Sequence, residues 1–231
     1  MTYLQKPPEL SKSEVLDSVR VYYGLEGTLY TLPGYRDQNF LLESPEGEKH
    51  VVKVSSPDEA DEILEFETKM ITRLSKDTDG LIPSVIPSTS GNSLVTHQDH
   101  QGCHHRLRIL EFLPGTLLAD INPRSNVLLT NLGERMAELG SVLGAYPDHP
   151  PPRIHFDWAL GEAGNIMEQS LSVLDGPQRA LIKITLRAFL ENEREFLGLG
   201  SQIIHGDVND HNVLVSLNSE GLNYISGIID L

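Results

Sequence analysis

Cysteine is nearly absent from the 231-residue sequence, in which Cys103 stands alone. One thiol excludes an internal disulfide framework, so a reducing compartment is the simplest location and the cytoplasm is expected. The first ten residues contain no apolar segment of the kind that directs secretion. No apolar run approaches the ~20 residues that a membrane-spanning helix needs, so no association with a membrane is expected.

Basic residues are also scarce, with 18 Lys and Arg against 33 Asp and Glu and a formal net charge of -15. This charge repels a phosphate backbone, so nucleic acid is not expected as a partner. A single nucleotide is not excluded, because it needs only a local basic residue and a divalent metal. The acidic surface would attract a cationic substrate such as an amine.

The hydrophobic share of 39% is ordinary for a globular chain, and the length suits one large domain or two small lobes. An amphipathic helix is predicted over Ser11–Tyr23 from its apolar face and capping pattern. Three apolar runs separated by turns then predict an antiparallel meander: Thr28–Leu32, Asn39–Glu43 and His50–Val54. A long helix is predicted over Ser56–Leu74.

The second half of the chain has a different pattern. A strand over Arg106–Leu113 ends at Pro114-Gly115, and helices are predicted from there to Gly200, apart from a proline-rich break. Short β-rich runs follow at Ile203–Ile204, Val213–Leu217 and Tyr224–Ile229. The order predicts an α+β fold with a boundary near Leu113, which divides the chain into residues 1–113 and 114–231.

The motif richest in chemistry is a polar loop between two strand runs, where Asp207 and Asn212 lie five positions apart. An isolated pair at this spacing would most simply cap turns. Here an apolar run ending in Asp230 follows, which favours a functional interpretation. Phosphoryl transfer explains the set, because Asp207 can orient an attacking hydroxyl and accept its proton, and Asp230 and Asn212 offer oxygen ligands to Mg²⁺.

The string HGDVNDHN, followed by IID, resembles the aminoglycoside phosphotransferase family of the protein-kinase-like fold. More narrowly, LPGYRDQNFLL and HGDVNDHNVLV are similar to the hydroxylysine kinase branch, and the resemblance covers about Leu29–Leu231. It implies a nucleotide-binding N-lobe over 1–113 and a mainly helical partial C-lobe over 114–231. It also implies transfer of the γ-phosphoryl of ATP or GTP, with Mg²⁺, to a hydroxyl of a small amine-bearing molecule.

The resemblance assigns further residues to the nucleotide. Lys53 on the third strand would contact the α- and β-phosphates, although a strand lysine is often simply exposed. A helix glutamate would hold this lysine, with Glu67 favoured by its spacing and Glu65 as the alternative. Arg36 would add a charge contact to the first hairpin turn, whose backbone N–H groups over 36–39 would cradle phosphate. An ordinary β-turn explains that segment nearly as well.

The linker between the lobes resembles the base-binding segment of the family. The backbone of Glu111 and of Leu113 would pair with the edge of the purine. One departure from the family pattern is Asn209, because many members have His two residues after the catalytic Asp. His205 is expected to brace the loop by hydrogen bonding and not to act as a base.

Two other signals carry less weight. A cluster of one Cys and four His around a turn fits no common zinc spacing and is expected to be a solvent-exposed hairpin loop: His97, His100, Cys103, His104 and His105. Asp157-Trp158 resembles a position of the helical lobe near the substrate cleft, although Trp packing between helices explains it slightly better.

Relatives are expected to continue past Asp230 with helices that supply most of the acceptor site. The chain is therefore expected to be C-terminally truncated, to have little or no activity, and to expose apolar surface on the helices at 125–145 and 177–197. The alternative is a catalytically inactive nucleotide-binding or regulatory fragment of a longer kinase and aminotransferase fusion, with a fused downstream domain as partner.

Overall fold

The computed structural model describes residues 7–100, 102–151 and 159–231. Its helices are α1 (Lys12–Tyr23), α2 (Asp61–Asp77), α3 (Asn126–Gly144), α4 (Ala163–Ser170) and α5 (Gly176–Leu197). Its strands are β1 (Thr28–Leu32), β2 (Gln38–Glu43), β3 (Lys49–Val54), β4 (Val85–Ile86), β5 (Val95–Gln98), β6 (His104–Glu111), β7 (Thr116–Leu117), β8 (Val213–Leu217) and β9 (Asn223–Ile228). The predicted α+β class is confirmed.

Helix α1 has the boundaries that its sequence predicts. The Ser11 side chain accepts a hydrogen bond from the Glu14 N–H, and the Glu14 carboxylate accepts one from the Ser11 N–H at 2.9 Å. These reciprocal bonds satisfy two N–H groups that the first turn would otherwise leave free. Gly24 ends the helix at φ 67°, a left-handed conformation that glycine adopts without steric cost.

The main sheet is antiparallel and runs in the order β1-β2-β3-β6-β4, with β5 also paired to β6. Its register places Asn39 of β2 and Arg108 of β6 on either side of Lys53 in β3. Strands β7, β8 and β9 form a second, three-stranded antiparallel sheet. The predicted meander of three strands is therefore confirmed to within one residue at each strand end.

Several predicted boundaries are wrong. Helix α2 begins at Asp61 and not at Ser56, because the chain first makes a turn at 56–59, closed by the Glu59 N–H donating to the Ser56 carbonyl at 3.1 Å, and Glu59 pairs with Arg36. No strand forms at 203–204. The sequence also gave no sign of β7, which exists because it pairs with β8.

Two apolar clusters support the two sheets. One joins α1 to the inner face of the main sheet and includes Val15, Phe40 and Ile109. The other joins α2 and α3 to the small sheet and includes Leu74 and Ile228. Burial of such side chains contributes about 1.5–3 kcal/mol each, so both sheets are held firmly by their helices.

The chain divides into two compact units. Helices α4 and α5 belong to one unit, and the other labelled elements belong to the second.

Helices α3 and α5 each expose apolar side chains, as predicted, including Val127 on α3 and Ile184 on α5. Within the part of the chain that the structure describes, no helix combines the length and apolarity needed to cross a bilayer. The predicted lobe boundary at 113 stays a prediction.

The cluster of Cys and His lies on the β5–β6 hairpin, but it is not wholly exposed. His105 is 5% exposed, and its Nε2 lies 3.0 Å from Asp99. His97 Nδ1 lies 2.7 Å from Ser18 Oγ on α1. The expectation of an exposed loop is therefore wrong for His105, because the alternation along β6 turns this side chain inward.

This packing predicts a stability that depends on pH. Burial, and then the neighbouring His105, lower the pKa of His97 below its ordinary value of 6.5. The unfolded chain therefore takes up a proton at a higher pH than the folded chain does. The contribution of His97 to the free energy of unfolding is fully present above pH 6.5 and is lost as the pH drops toward the lower pKa of the folded state. Urea unfolding at about pH 7.5 and about pH 5.5 measures the loss.

The matched variants for this prediction are His97→Gln and His104→Gln. The first should flatten the loss of stability on acidification, while the second removes an exposed histidine of the same hairpin and should leave the loss unchanged. An unchanged pH dependence in His97→Gln would contradict the assignment to His97.

Candidate active site

The polar loop before β8 holds Asp207 with two side-chain amides. Asn209 Nδ2 donates to Asp207 Oδ1 at 2.9 Å. Asn212 Nδ2 donates to the Asp207 carbonyl at 2.9 Å and lies 3.3 Å from Oδ2. The carboxylate is otherwise exposed. It is therefore fixed in direction and still open to a ligand from solvent.

His205 braces this loop, in agreement with its prediction. Its Nδ1 accepts a hydrogen bond from the Asp207 N–H at 3.3 Å, and its Nε2 lies 3.0 Å from the carbonyl of Ile229. A carbonyl can only accept, so Nε2 is the donor in this contact. Both nitrogens are used in holding the loop, which leaves neither as a base.

Asp230 lies beside Asn212 although the two are distant in sequence. Strand β9 ends at Ile228, and the next N–H, that of Ile229, donates to the Asn212 carbonyl at 2.9 Å. Asp230 itself has φ 68°, an uncommon conformation for a residue with a side chain. This bond brings the chain next to Asp230 against Asn212, and the binding of a metal by the two side chains stays a prediction.

Lys53 reaches this place from the main sheet. Its Nζ lies 2.7 Å from Asp230 Oδ1 and 3.8 Å from Asp37 Oδ2. The ammonium and its hydrogen bond, acting against the cost of burial, hold the pKa of Asp230 below its usual range. Asp230 is therefore ionised at neutral pH, which a metal ligand requires.

Glu67 lies close to a different cation. Its Oε2 is 3.4 Å from Nη2 of Arg108, which is 2% exposed, while Arg108 Nη1 lies 3.2 Å from Thr68 Oγ1. Arg108 is the cross-strand neighbour of Lys53. The alternative, Glu65, is half exposed and lies 3.9 Å from Arg106. Pairing of either glutamate with Lys53 stays a prediction.

The first hairpin turn is closed tightly on itself. A Cβ on Gly34 would lie 2.3 Å from the Asp37 carbonyl, so only glycine fits there. Arg36 Nη1 lies 3.0 Å from Glu59 Oε2, which ties the turn to the segment before α2. The roles predicted for Arg36 and for the backbone at 36–39 in binding phosphate stay predictions.

The predicted base-binding linker follows β6. The Glu111 N–H donates to the Ser84 carbonyl at 2.9 Å, and the Glu111 carboxylate accepts from Ser84 Oγ at 2.7 Å. Leu113 packs on β9, where a Cβ on Gly227 would lie 2.9 Å from Leu113 Cδ1. The linker is therefore firmly seated, and its backbone contact with a base stays a prediction.

Four residues contact the site or its loop in ways that the sequence did not predict. Asp37 and Arg108 depend on strand register and on which side chains fill the space, and neither lies in a motif. Asn209 was noticed only as a departure from the family pattern. Arg124 lies 2.7 Å from Asp210 Oδ2 and so supports the loop from a distant segment. No motif in the sequence links Arg124 to Asp210. Asp157-Trp158 falls outside the described residues.

Comparison with known proteins also points to a phosphotransferase. The profile of the phosphotransferase enzyme family, abbreviated APH, matches residues 31–231. A hydroxylysine kinase from Danio rerio is 31% identical over 243 residues, which cover 100% of this chain and 67% of the relative. A hydroxylysine kinase from Mus musculus is 26% identical over 246 residues, which cover 96% of this chain and 64% of the relative.

A solved structure shares the fold. The amicoumacin kinase hAmiN, in complex with AMP-PNP, Ca²⁺ and Ami, aligns with a TM-score of 0.68 at 15% identity. The alignment covers 96% of this chain and 64% of that chain. The predicted protein-kinase-like fold is thereby confirmed. The chain spans about two thirds of the length of the curated relatives that it matches.

Proposed function

The chain belongs to the phosphotransferase enzyme family, and we propose on this premise that it serves to move the γ-phosphoryl of ATP or GTP to a hydroxyl of a small amine-bearing molecule. One observation carries the proposal. Lys53 Nζ lies 2.7 Å from Asp230 Oδ1, and the N–H of the preceding residue, Ile229, donates to the Asn212 carbonyl. Asn212 in turn reaches Asp207. These contacts support a single site in which Lys53 would bind phosphate, Asn212 and Asp230 would hold the metal and Asp207 would accept the proton.

The donor set suits Mg²⁺. Asn212 uses its Nδ2 on Asp207, so its amide oxygen remains as the acceptor, and Asp230 is ionised. Asn212 and Asp230 would hold the metal, and Mg²⁺ would neutralise charge on the phosphate oxygens. Lys53 would bind the α- and β-phosphates, with Glu67 beside the neighbouring Arg108. The hairpin turn with Arg36 and the linker backbone at Glu111 and Leu113 would complete the nucleotide site.

Asp207 is the group proposed to meet the acceptor hydroxyl. Hydrogen bonds from Asn209 and Asn212 fix its direction. A carboxylate held in this way can orient the hydroxyl and accept its proton as the phosphoryl group transfers. The protein thus supplies position and a proton acceptor, which is most of what this reaction requires.

The acceptor is proposed to resemble hydroxylysine, because two relatives bear the name hydroxylysine kinase. The net charge of -15 supports an amine-bearing acceptor, since a negative surface raises the local concentration of cations. The single cysteine supports a cytoplasmic location.

Thermal unfolding with and without Mg²⁺ and nucleotide tests the proposal. ATP or GTP with Mg²⁺ should stabilise the protein by about 2.7 kcal/mol at a hundredfold excess over Kd. The stabilisation should disappear in Asp230→Ala, because this variant loses both a metal ligand and the partner of Lys53. Turnover is then measured by phosphate transfer to hydroxylysine and to other amino alcohols.

The matched control is Asp58→Asn, an exposed residue that carries the same charge and lies outside the site. It should respond to nucleotide as the wild type does. A wild-type protein that is not stabilised by either nucleotide would overturn the proposal. Stabilisation without transfer to any hydroxyl would support the alternative of a nucleotide-binding module without catalysis.

A further inference from the structure

We infer that Asp37 weakens nucleotide binding, because its carboxylate holds Lys53 in the absence of nucleotide and must give way to the triphosphate. The inference rests on the proposed function. It assigns to the first hairpin a residue that tunes affinity by competing with the ligand for the same ammonium group.

The contacts of Lys53 are the starting point. Its side chain is 9% exposed, and its Nζ faces Asp230 at 2.7 Å and Asp37 at 3.8 Å. Two carboxylates therefore surround one ammonium group that has little access to water. Phosphate oxygens that bind Lys53 have to take the place of one of them, since three anions around one buried cation would repel each other strongly.

Asp230 is anchored through the residue before it in the chain. Its backbone follows Ile229, whose N–H is bonded to Asn212 and whose carbonyl lies 3.0 Å from His205 Nε2. Its carboxylate is also the group proposed to bind the metal, so it has to stay with the nucleotide. Asp37 lies in the hairpin turn, more distant from Nζ and without a role in metal binding. It is the carboxylate that can turn away.

The neighbouring cation does not relieve this competition. Arg108 lies across from Lys53 in the sheet, but its guanidinium is 3.4 Å from Glu67 and 3.2 Å from Thr68 Oγ1. Its charge is thus largely balanced before a nucleotide arrives. Asp37 consequently opposes the approaching phosphates in two ways, by holding Lys53 and by direct repulsion.

The variant Asp37→Asn tests the inference, because it removes the charge and keeps the size and the backbone of the turn. Its Kd for ATP with Mg²⁺ should be about three- to tenfold lower than that of the wild type. The gain should be smaller for ADP and absent for adenosine, because it depends on phosphate charge. Titration calorimetry on the full chain with these three probes, and with the guanine series in parallel, measures the effect.

Asp58→Asn is the control, since it makes the same change of charge away from Lys53 and should leave each Kd unchanged. An unchanged or higher Kd for ATP in Asp37→Asn, with normal binding by the wild type, would overturn the role of Asp37 alone. A gain of equal size for adenosine would also overturn it. Failure of the wild type to bind any of the nucleotides would instead overturn the proposed function.

Discussion

Replacing Asp207 by Asn should lower kcat by about 10²–10⁴-fold and leave nucleotide binding nearly unchanged. The amide has the size of the carboxylate but cannot accept the proton of the acceptor hydroxyl. Lys53, Asn212 and Asp230 stay in place, so the groups proposed to bind the nucleotide are still present. Steady-state kinetics with a hydroxylated amine, on a chain extended to the length of its relatives, together with calorimetric Kd values, separate the two effects.

Asp210→Asn is the control for this experiment. It removes a carboxylate from the same loop, but one that lies 2.7 Å from Arg124 and does not take part in the proposed proton transfer. Its effect on kcat should stay below about tenfold, in line with the modest worth of a partly exposed ion pair. An equal loss in the two variants would contradict the role given to Asp207, since support of the loop would then explain both.

Replacing Glu67 by Ala should lower the free energy of unfolding by about 3–5 kcal/mol. Arg108 is 2% exposed and would be left in the core without the carboxylate that now lies 3.4 Å from it. An uncompensated charge in such surroundings costs far more than the pair contributes when intact. Urea unfolding followed by circular dichroism measures the loss.

Glu65→Ala is the matched change on the same helix. Glu65 is half exposed and 3.9 Å from Arg106, so its removal should cost no more than about 1 kcal/mol. The double variant with Glu67→Leu and Arg108→Met should recover much of the stability lost in Glu67→Ala. A loss for Glu67→Ala no larger than that for Glu65→Ala would contradict the importance of the buried pair.

Local signals in the sequence were sufficient for the elements that depend on neighbours along the chain. The capping pair of Ser11 and Glu14, the alternation around Lys53 and the spacing of Asp207 and Asn212 all involve residues within a few positions of each other. Such patterns report backbone requirements that hold in any fold. The helix, the strand and the loop that they predict are all present.

Features that depend on distant partners were not predictable. The sequence Ser-Pro-Asp-Glu at 56–59 is a good helix start, but Glu59 is drawn to Arg36 and the helix begins later. The apolar pair at 203–204 forms no strand, although the same composition predicts one. The contact of the Asp37 carboxylate with Lys53 depends on how β2 pairs with β3, which no local pattern reports.

The structure gives a physical reason for Asn209, which stands where many members of the family have His. An amide at this position donates to Asp207 Oδ1 at 2.9 Å and accepts from the His211 N–H at 2.8 Å. It does so without any group that titrates near neutral pH. The contact of Asn209 with the proposed proton acceptor therefore contains no group that changes its charge over the range in which an imidazole would.

The backbone of Ile229 also affects how this protein can change in evolution. Its N–H is bonded to Asn212, and its carbonyl is bonded to His205, so both ends of the polar loop share one anchor. A lengthened or shortened turn between β8 and β9 would be absorbed at 218–222, far from this anchor. Variation in that turn should be tolerated across relatives, whereas insertions between 205 and 212 would separate the proposed proton acceptor from the proposed metal ligands.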